Sequence, residues 1–445
     1  MFTISKSALK HRAESLLAHK DTLTVLGFKI FGILVSYSFM LMATRWYGAA
    51  AWGRFAIGFA WLQLLAILGK AGQDMVLMRL LPPLNEARQI YRIAVLRRRS
   101  LTIVLATGLL LVLGMAVLAS PLTRLFLEEE PSYSGLWQWV ALALLPFLLH
   151  ELQVESLRAA GHHTAYAVGK HIHYFGFSLG VLAISYTYTV SLKEPVLAAF
   201  IIGVLISAFT ATVFWEALRP RLGEKRPVSD TQSPAWPNLL RMGWPFLLTN
   251  SINLLFGYVD TLMVGAYLGE TDTGIYNAAL KISAVSGLAM IAAHGVQARR
   301  FSLYHHQGDY DSLEADARRT TRWTFFISVP IAAAFWGFPE TFLTLLDPIF
   351  VRGASSLRYL VLGNIISIGC GSIMLLLQMT GKELKARNLM FMGAILNFVL
   401  NMLLIPLMGI GGAALASASA LAIVNVLGIW LAARQLGVRI HLGAR

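Results

Sequence analysis

Charge is scarce in this chain: Asp, Glu, Lys and Arg together make up 13% of its 445 residues, while 56% are hydrophobic. Soluble domains carry about a quarter charged residues, so a soluble globular enzyme is excluded. Cysteine is scarcer still. The single Cys370 sits in the apolar run GNIISIGCGSIMLLL, and one thiol builds neither a disulfide framework nor a cysteine metal site. The histidines come as GHHTAY, KHIHY and YHHQ, with no carboxylate or cysteine at zinc spacing. A phosphate-cradling glycine loop and a helical His-Glu-x-x-His are both missing, so no cofactor or metal is expected. Ser, His and Asp show no arrangement that points to hydrolysis. The opening MFTISKSALKHRAESLLAHK is basic and polar, without the apolar core and small-residue cleavage site of a removable leader.

What the chain has instead is long apolar runs, with a mean hydropathy of +0.62. Stretches of about 20 residues, the length that crosses a bilayer, recur at 24–45, 53–72, 101–120, 136–157, 168–188, 196–217, 244–267, 274–297, 323–346, 356–379, 386–407 and 412–432. The expected fold is an all-α membrane protein of twelve transmembrane helices.

The formal net charge is +14, and its distribution decides what it means. One set of alternate loops holds Lys6, Lys10, Arg12 and Lys20, then Arg79, Arg88, Arg92 and Arg97 to Arg99, then Arg158 and Lys170. The same set continues through Arg219, Arg221, Lys225, Arg226 and Arg241, Arg299, Arg300, Arg318, Arg319 and Arg322, Lys382, Lys385 and Arg387, to Arg434, Arg439 and Arg445. The other set has Arg45, Arg54, Arg124, Lys193, Arg352 and Arg358, with the acidic patches LEEEP and GETDT. Lys and Arg gather in cytoplasmic loops. Both termini are therefore expected in the cytoplasm, the basic surplus is topological, and nucleic acid is not an expected partner. The loops on the far side are too short for a folded enzyme domain.

The two halves repeat. YGAAAWGRF and LGETDTGIY pair Gly48 with Gly269, Gly53 with Gly274 and Phe55 with Tyr276, each 221 residues apart. SPLTRLF pairs with FPETFLT, RAAGHHTAY with QMTGKELKA through Gly161 and Gly381, and RPRLG with ARQLG, all in order and at similar separations. An even number of crossings per repeat inserts both halves the same way up. Between them, RPRLGEKRPVSDTQSPAWPN reads as a cytoplasmic linker of prolines and alternating charge. The expected division is an N-terminal lobe over 1–222, a linker over 223–243 and a C-terminal lobe over 244–445. Two pseudo-symmetric six-helix lobes around a central cavity form the architecture of an alternating-access transporter.

The segments ATRWYGAAAWGRFAIG, DMVLMRLLP, WPFLLTNSINLLFGYVDTLMVGAYLGETDTGIYNAALKIS and LNFVLNMLLIPLMGIGGAALASASA resemble polysaccharide repeat-unit flippases of the multidrug, oligosaccharidyl-lipid and polysaccharide exporter superfamily. The resemblance covers nearly the whole chain and is weakest from 121 to 200. It implies a non-enzymatic protein of the bacterial inner membrane that carries a polyprenyl-diphosphate-linked oligosaccharide from the cytoplasmic to the outer leaflet. The implied partners are that lipid-linked oligosaccharide, the lipid bilayer, and a polysaccharide polymerase or other assembly proteins. Peptidoglycan-precursor flippases of the superfamily typically carry two more C-terminal helices, which this chain does not show after its twelfth. Drug-exporting relatives commonly hold an acid in the first helix, where this chain has Lys29 and no acid after Asp21. The alternatives are an ion-coupled small-molecule exporter of the same superfamily and a membrane scaffold for glycan assembly.

Ionisable groups at bilayer depth cost several kcal/mol unless paired or hydrated. Asp260 and Lys281 flank the GETDT turn at similar depth, so they are expected either to form an interhelical ion pair or to face the cavity, where Lys281 would attract the diphosphate and Asp260 would hold or release it. Lys29 either reaches the headgroups or lines the cavity. Asn250 and Asn253 share a helix face with Gly257, which suits either an oligosaccharide or interhelical hydrogen bonds. Arg45 and Arg358 are expected as interfacial cations near outer helix ends. Glu151, Glu155, Arg158 and His162 are spaced for a salt-bridge ladder along one helix, with proton coupling at Glu151 as the functional alternative.

Overall fold

The computed structural model describes the backbone of 6–126, 135–188, 194–218 and 234–438, and the side chains of 24–119, 135–188, 194–218, 234–247 and 257–438. The described chain is helical throughout and contains no strand. Lipid leaves no solvent to satisfy a free peptide group, so each apolar run closes its own hydrogen bonds as a helix.

The N-terminal half comprises α1 (Lys6–Lys70), α2 (Gln73–Glu86), α3 (Ile90–Phe126) and α4 (Gly135–Ala159). It continues with α5 (His163–Val168), a π-helical turn (Gly169–His173), α6 (Tyr174–Thr187) and α7 (Pro195–Leu218). The C-terminal half comprises α8 (Trp236–Ala284), α9 (Leu288–Gln307), α10 (Tyr310–Gly337), α11 (Pro339–Thr344) and α12 (Ala354–Cys370), then α13 (Ile373–Met379), α14 (Glu383–Met408) and α15 (Ile410–Leu436).

By length and composition, eight described segments can cross a membrane, among them Thr24–Lys70 and Gly257–Gln307, each long enough for two crossings. The expected spans at 168–188 and 323–346 are not among these eight. The first is interrupted by the π turn, and the second follows the arginine-rich first turns of α10.

Both hairpins of the repeat pivot on one residue. α1 bends at Gly48 (φ 81, ψ −179) and α8 at Gly269 (φ 77, ψ −173), a conformation a side chain would strain. The acidic stretch expected to form a turn from Leu268 to Thr273 is instead helical on both sides of Gly269. The second glycine of each hairpin serves a different purpose. A Cβ on Gly53 would strike the carbonyl of Glu270, and one on Gly274 would strike the carbonyl of Ala49, so the two bends pack backbone to backbone in reciprocal contact. Arg54 adds an ion pair to Glu270 at 2.7 Å. Gly161 and Gly381, the third repeat pair, also share a positive φ, 88° and 72°. Of the remaining pairs, residues 219–233 and the patch LEEEP lie outside the described residues, as do the side chains of SPLTRLF.

Two compact units emerge from the contacts. One consists of Met1–Met42, Leu65–Val117 and Gln138–Leu247. Its core includes Leu77, Leu81, Val104, Phe147, Leu148 and Trp215, all buried. In it the start of α8 seats against the turn between α1 and α2, where Gln73 Nε2 donates to the Leu239 carbonyl at 3.3 Å and Ser100 donates to Gln73 at 3.1 Å. The other unit consists of Ala43–Leu64, Leu118–Trp137 and Leu248–Arg445, around Trp52, Phe55, Tyr276 and Phe350.

Candidate functional site

Two buried polar clusters stand out, one in each unit. The first is built on Asp260, in α8 nine residues before the bend, with 4% of its surface exposed. A lone carboxylate in such a place is costly unless donors satisfy it, and three neutral groups do so. Tyr276 donates its hydroxyl to Oδ2 at 3.1 Å, Asn401 donates Nδ2 to Oδ1 at 2.8 Å, and Ser417 donates Oγ to Oδ2. Asn397 ties the donors together, accepting from Asn401 at 2.6 Å and donating to Ser417 at 3.2 Å. Asn397 and Asn401 lie one turn apart on α14 and Ser417 lies on α15, so three helices converge on one carboxylate. The Oδ1 of Asn401 is buried and has no hydrogen-bond partner. With a single formal charge surrounded by hydroxyl and amide oxygens, the cluster can take up a proton or a hard monovalent cation. It cannot build a zinc site, and no group of three His, Cys, Asp or Glu side chains suited to a metal occurs among the described residues.

This arrangement corrects the expected ion pair. Asp260 and Lys281 form no salt bridge in the structure. Because the chain reverses at Gly269 alone, the residues facing Asp260 and Thr261 are Tyr276 and Asn277, the latter donating to Thr261 at 3.4 Å. Lys281 falls five residues further along the helix, about 7.5 Å at 1.5 Å per residue, and is half-buried.

The second cluster gathers charge. Glu151 on α4 is 5% exposed and meets two lysines, Lys170 at 2.7 Å and Lys70 at 3.5 Å. Lys70 also pairs with Asp74 at 3.1 Å, Lys170 with Glu155 at 3.4 Å, and Glu155 with Arg158 at 3.5 Å. Three acids and three bases from α1, α2, α4 and the π turn thus balance each other. The expected ladder along one helix holds only between Glu155 and Arg158. Glu151 is bound across helices instead, and His162 reaches the Leu218 carbonyl at 3.1 Å. The π turn, a rare geometry frequent at functional sites, is the segment that carries Lys170. Next to Glu151, the buried His150 contacts the Ser207 carbonyl through Nδ1 at 3.1 Å, while its Nε2 has no partner.

The other expected site residues are dispersed. Lys29 is half-buried beside His171, with no carboxylate paired to it among the described residues. Arg45 is exposed. Arg358 ties helix ends together, donating to the Trp336 carbonyl at 3.2 Å and to Glu340 at 3.0 Å. Asn250 and Asn253 are on the α8 backbone, and their side chains lie outside the described residues. Sequence reasoning missed Tyr276, Asn397, Asn401 and Ser417, although two asparagines four apart in the apolar run LNFVLNMLL were a signal. It also passed over Lys70 and Asp74, and it placed Lys170 among the loop cations.

No curated protein matches this sequence. Among solved structures, an inward-facing multidrug resistance MATE family transporter of the MOP superfamily is 12% identical over 94% of this chain and 98% of its own, with a TM-score of 0.69. A MOP superfamily transporter from Pyrococcus furiosus is 14% identical over 94% and 96%, with a TM-score of 0.65. The lipid II flippase MurJ, in an inward closed conformation, is 14% identical over 93% and 88%, with a TM-score of 0.71. At such identities the likeness is one of fold, and this chain shares their all-α, twelve-helix transporter fold. The MatE family model matches residues 245–403. The polysaccharide biosynthesis protein model matches residues 18–296, more than half of the chain. The chain belongs to the polysaccharide biosynthesis protein family.

Proposed function

We propose that this protein is a flippase that moves a polyprenyl-diphosphate-linked oligosaccharide from the cytoplasmic to the outer leaflet of the bacterial inner membrane by alternating access. The observation that carries the reading is the match of the polysaccharide biosynthesis family model over residues 18–296, which spans the first half of the repeat and the opening helices of the second. Supporting it is the fold likeness to a lipid II flippase and a first helix that presents Lys29 and no acid after Asp21. In this reading residues 1–222 and 244–445 act as two lobes joined by the 223–243 linker, with both termini cytoplasmic. Lys29, Lys281, Asn250 and Asn253 contact the diphosphate and sugars. Asp260 couples the transition by exchanging a proton or cation, and the Glu151 cluster holds its helices together as the protein changes state.

Deleting the gene in its own host and measuring the polyprenyl-linked oligosaccharide pool leaflet by leaflet tests this. Accumulation confined to the inner leaflet and reversed by the wild-type gene is the expected result. A normal pool with normal surface glycan contradicts it.

A second reading is favoured by the MATE relatives: an ion-coupled exporter of small molecules that works through the same Asp260 cluster. It predicts drug efflux that Asp260→Asn abolishes, in cells whose glycan pool is unaffected.

A further inference from the structure

At the arginine-rich end of α10, charge and aromatic surface meet in a way the transport cycle does not use. Ala315, Arg318, Arg319, Arg322, Trp323 and Phe326 line a groove of about 630 Å³. They recur at intervals of three and four, so they form one stripe along the helix. Local carboxylates are already committed: Glu314 pairs with Arg318, Asp316 pairs with Arg300 at 2.7 Å, and Asp309 caps the helix by accepting from the Ser312 N–H at 2.9 Å. Asp311 is about 12 Å from Arg319 along the helix. Arg319 and Arg322 are exposed and have no anionic partner among the described residues. Immediately beyond them Trp323, Phe326 and Ile327 are 62%, 68% and 54% exposed, at the point where α10 turns apolar.

Two unneutralised guanidinium groups followed by outward aromatic and aliphatic side chains match the order of parts in a phospholipid: phosphate, interfacial glycerol, acyl chain. Guanidinium binds phosphate oxygens in pairs, tryptophan prefers the headgroup level, and basic pockets beside membrane helices select anionic headgroups. We propose that this groove is a binding site for one anionic phospholipid, with its headgroup phosphate on Arg319 and Arg322 and its first acyl segments along Trp323 and Phe326. The small Ala315 leaves room for the headgroup above the arginines. The assignment depends neither on the flippase reading nor on which leaflet the groove faces.

Native mass spectrometry of the full-length protein, released from detergent containing equal phosphatidylglycerol and phosphatidylcholine, tests it. The wild type is expected to retain phosphatidylglycerol preferentially, and Arg319→Gln with Arg322→Gln to reduce that preference by roughly 5-fold per arginine, from about 1 kcal/mol for each. Arg319→Lys with Arg322→Lys keeps part of the preference and guards against misfolding of the neutral variant. Trp323→Ala lowers retention of both lipids without changing their ratio. Arg299→Gln, a neighbouring cation outside the groove, leaves the ratio as it was. An equal fall in Arg299→Gln, an unchanged ratio in the double Gln variant, or displacement of the lipid by millimolar inorganic phosphate would overturn the proposal.

Discussion

Tyr276 places its hydroxyl 3.1 Å from the carboxylate of Asp260, although 16 residues separate them. The contact exists because Gly269 reverses the chain by itself, so the helix running back to Asp260 and the helix running on to Tyr276 lie antiparallel. A buried donor to a charged acceptor contributes about 2 kcal/mol. Tyr276→Phe should lower stability by that order in detergent thermal unfolding, while Tyr267→Phe, at a site 44% exposed, should change little.

The same carboxylate is the expected coupling group. Asp260→Asn preserves its volume and removes its charge, so the variant should insert and fold yet lose transport when assayed by complementation of the deletion strain. Transport at the wild-type rate would remove Asp260 from the mechanism.

Lys29 and Lys281 carry the proposed diphosphate contact. Lys29→Gln combined with Lys281→Gln should abolish complementation while membrane levels stay normal. Either single variant should retain part of it, since each leaves one cation. Full activity in the double variant would show that the diphosphate is held elsewhere.

The reciprocal contact of Gly53 and Gly274 predicts a stability effect of its own. A side chain at either position collides with carbonyl groups of the opposite bend, and backbone yields less readily than a side chain. Gly53→Val and Gly274→Val should each destabilise by about 3 kcal/mol or more, at the upper end of overpacking, and lower the yield of folded protein. Gly180→Ala, with nothing within 4 Å of the added carbon, should be neutral or slightly stabilising.

For the charged cluster the expected signature is non-additivity. Glu151→Gln leaves Lys170 and Lys70 short of a buried partner, a loss of about 3–5 kcal/mol. Adding Lys170→Gln should recover much of that, because Lys70 keeps Asp74 at 3.1 Å. Equal, additive losses would mean that the pair contributes independently of its context.

The helical membrane fold was legible because a bilayer demands about 20 apolar residues per crossing, and the hairpin glycines were legible because their spacing recurs. The position of the bend was not. GETDT reads as a polar loop, yet the helix resumes directly after Gly269, and this shift of register replaced Lys281 by Tyr276 opposite Asp260. The asparagines of α14 look like ordinary interhelical glue until α8 and α15 are placed beside them. Lys170 reads as a loop cation because nothing in KHIHY announces a π turn.

Translocation of a lipid-linked oligosaccharide can be followed in a reconstituted membrane. Proteoliposomes would carry the purified protein and a fluorescent polyprenyl-diphosphate oligosaccharide, with an impermeant quencher reporting the leaflet. Wild-type protein should speed movement of the probe between leaflets, and Asp260→Asn should reduce the rate to that of protein-free vesicles. Equal rates with and without the wild-type protein, under both a proton and a sodium gradient, would contradict the account.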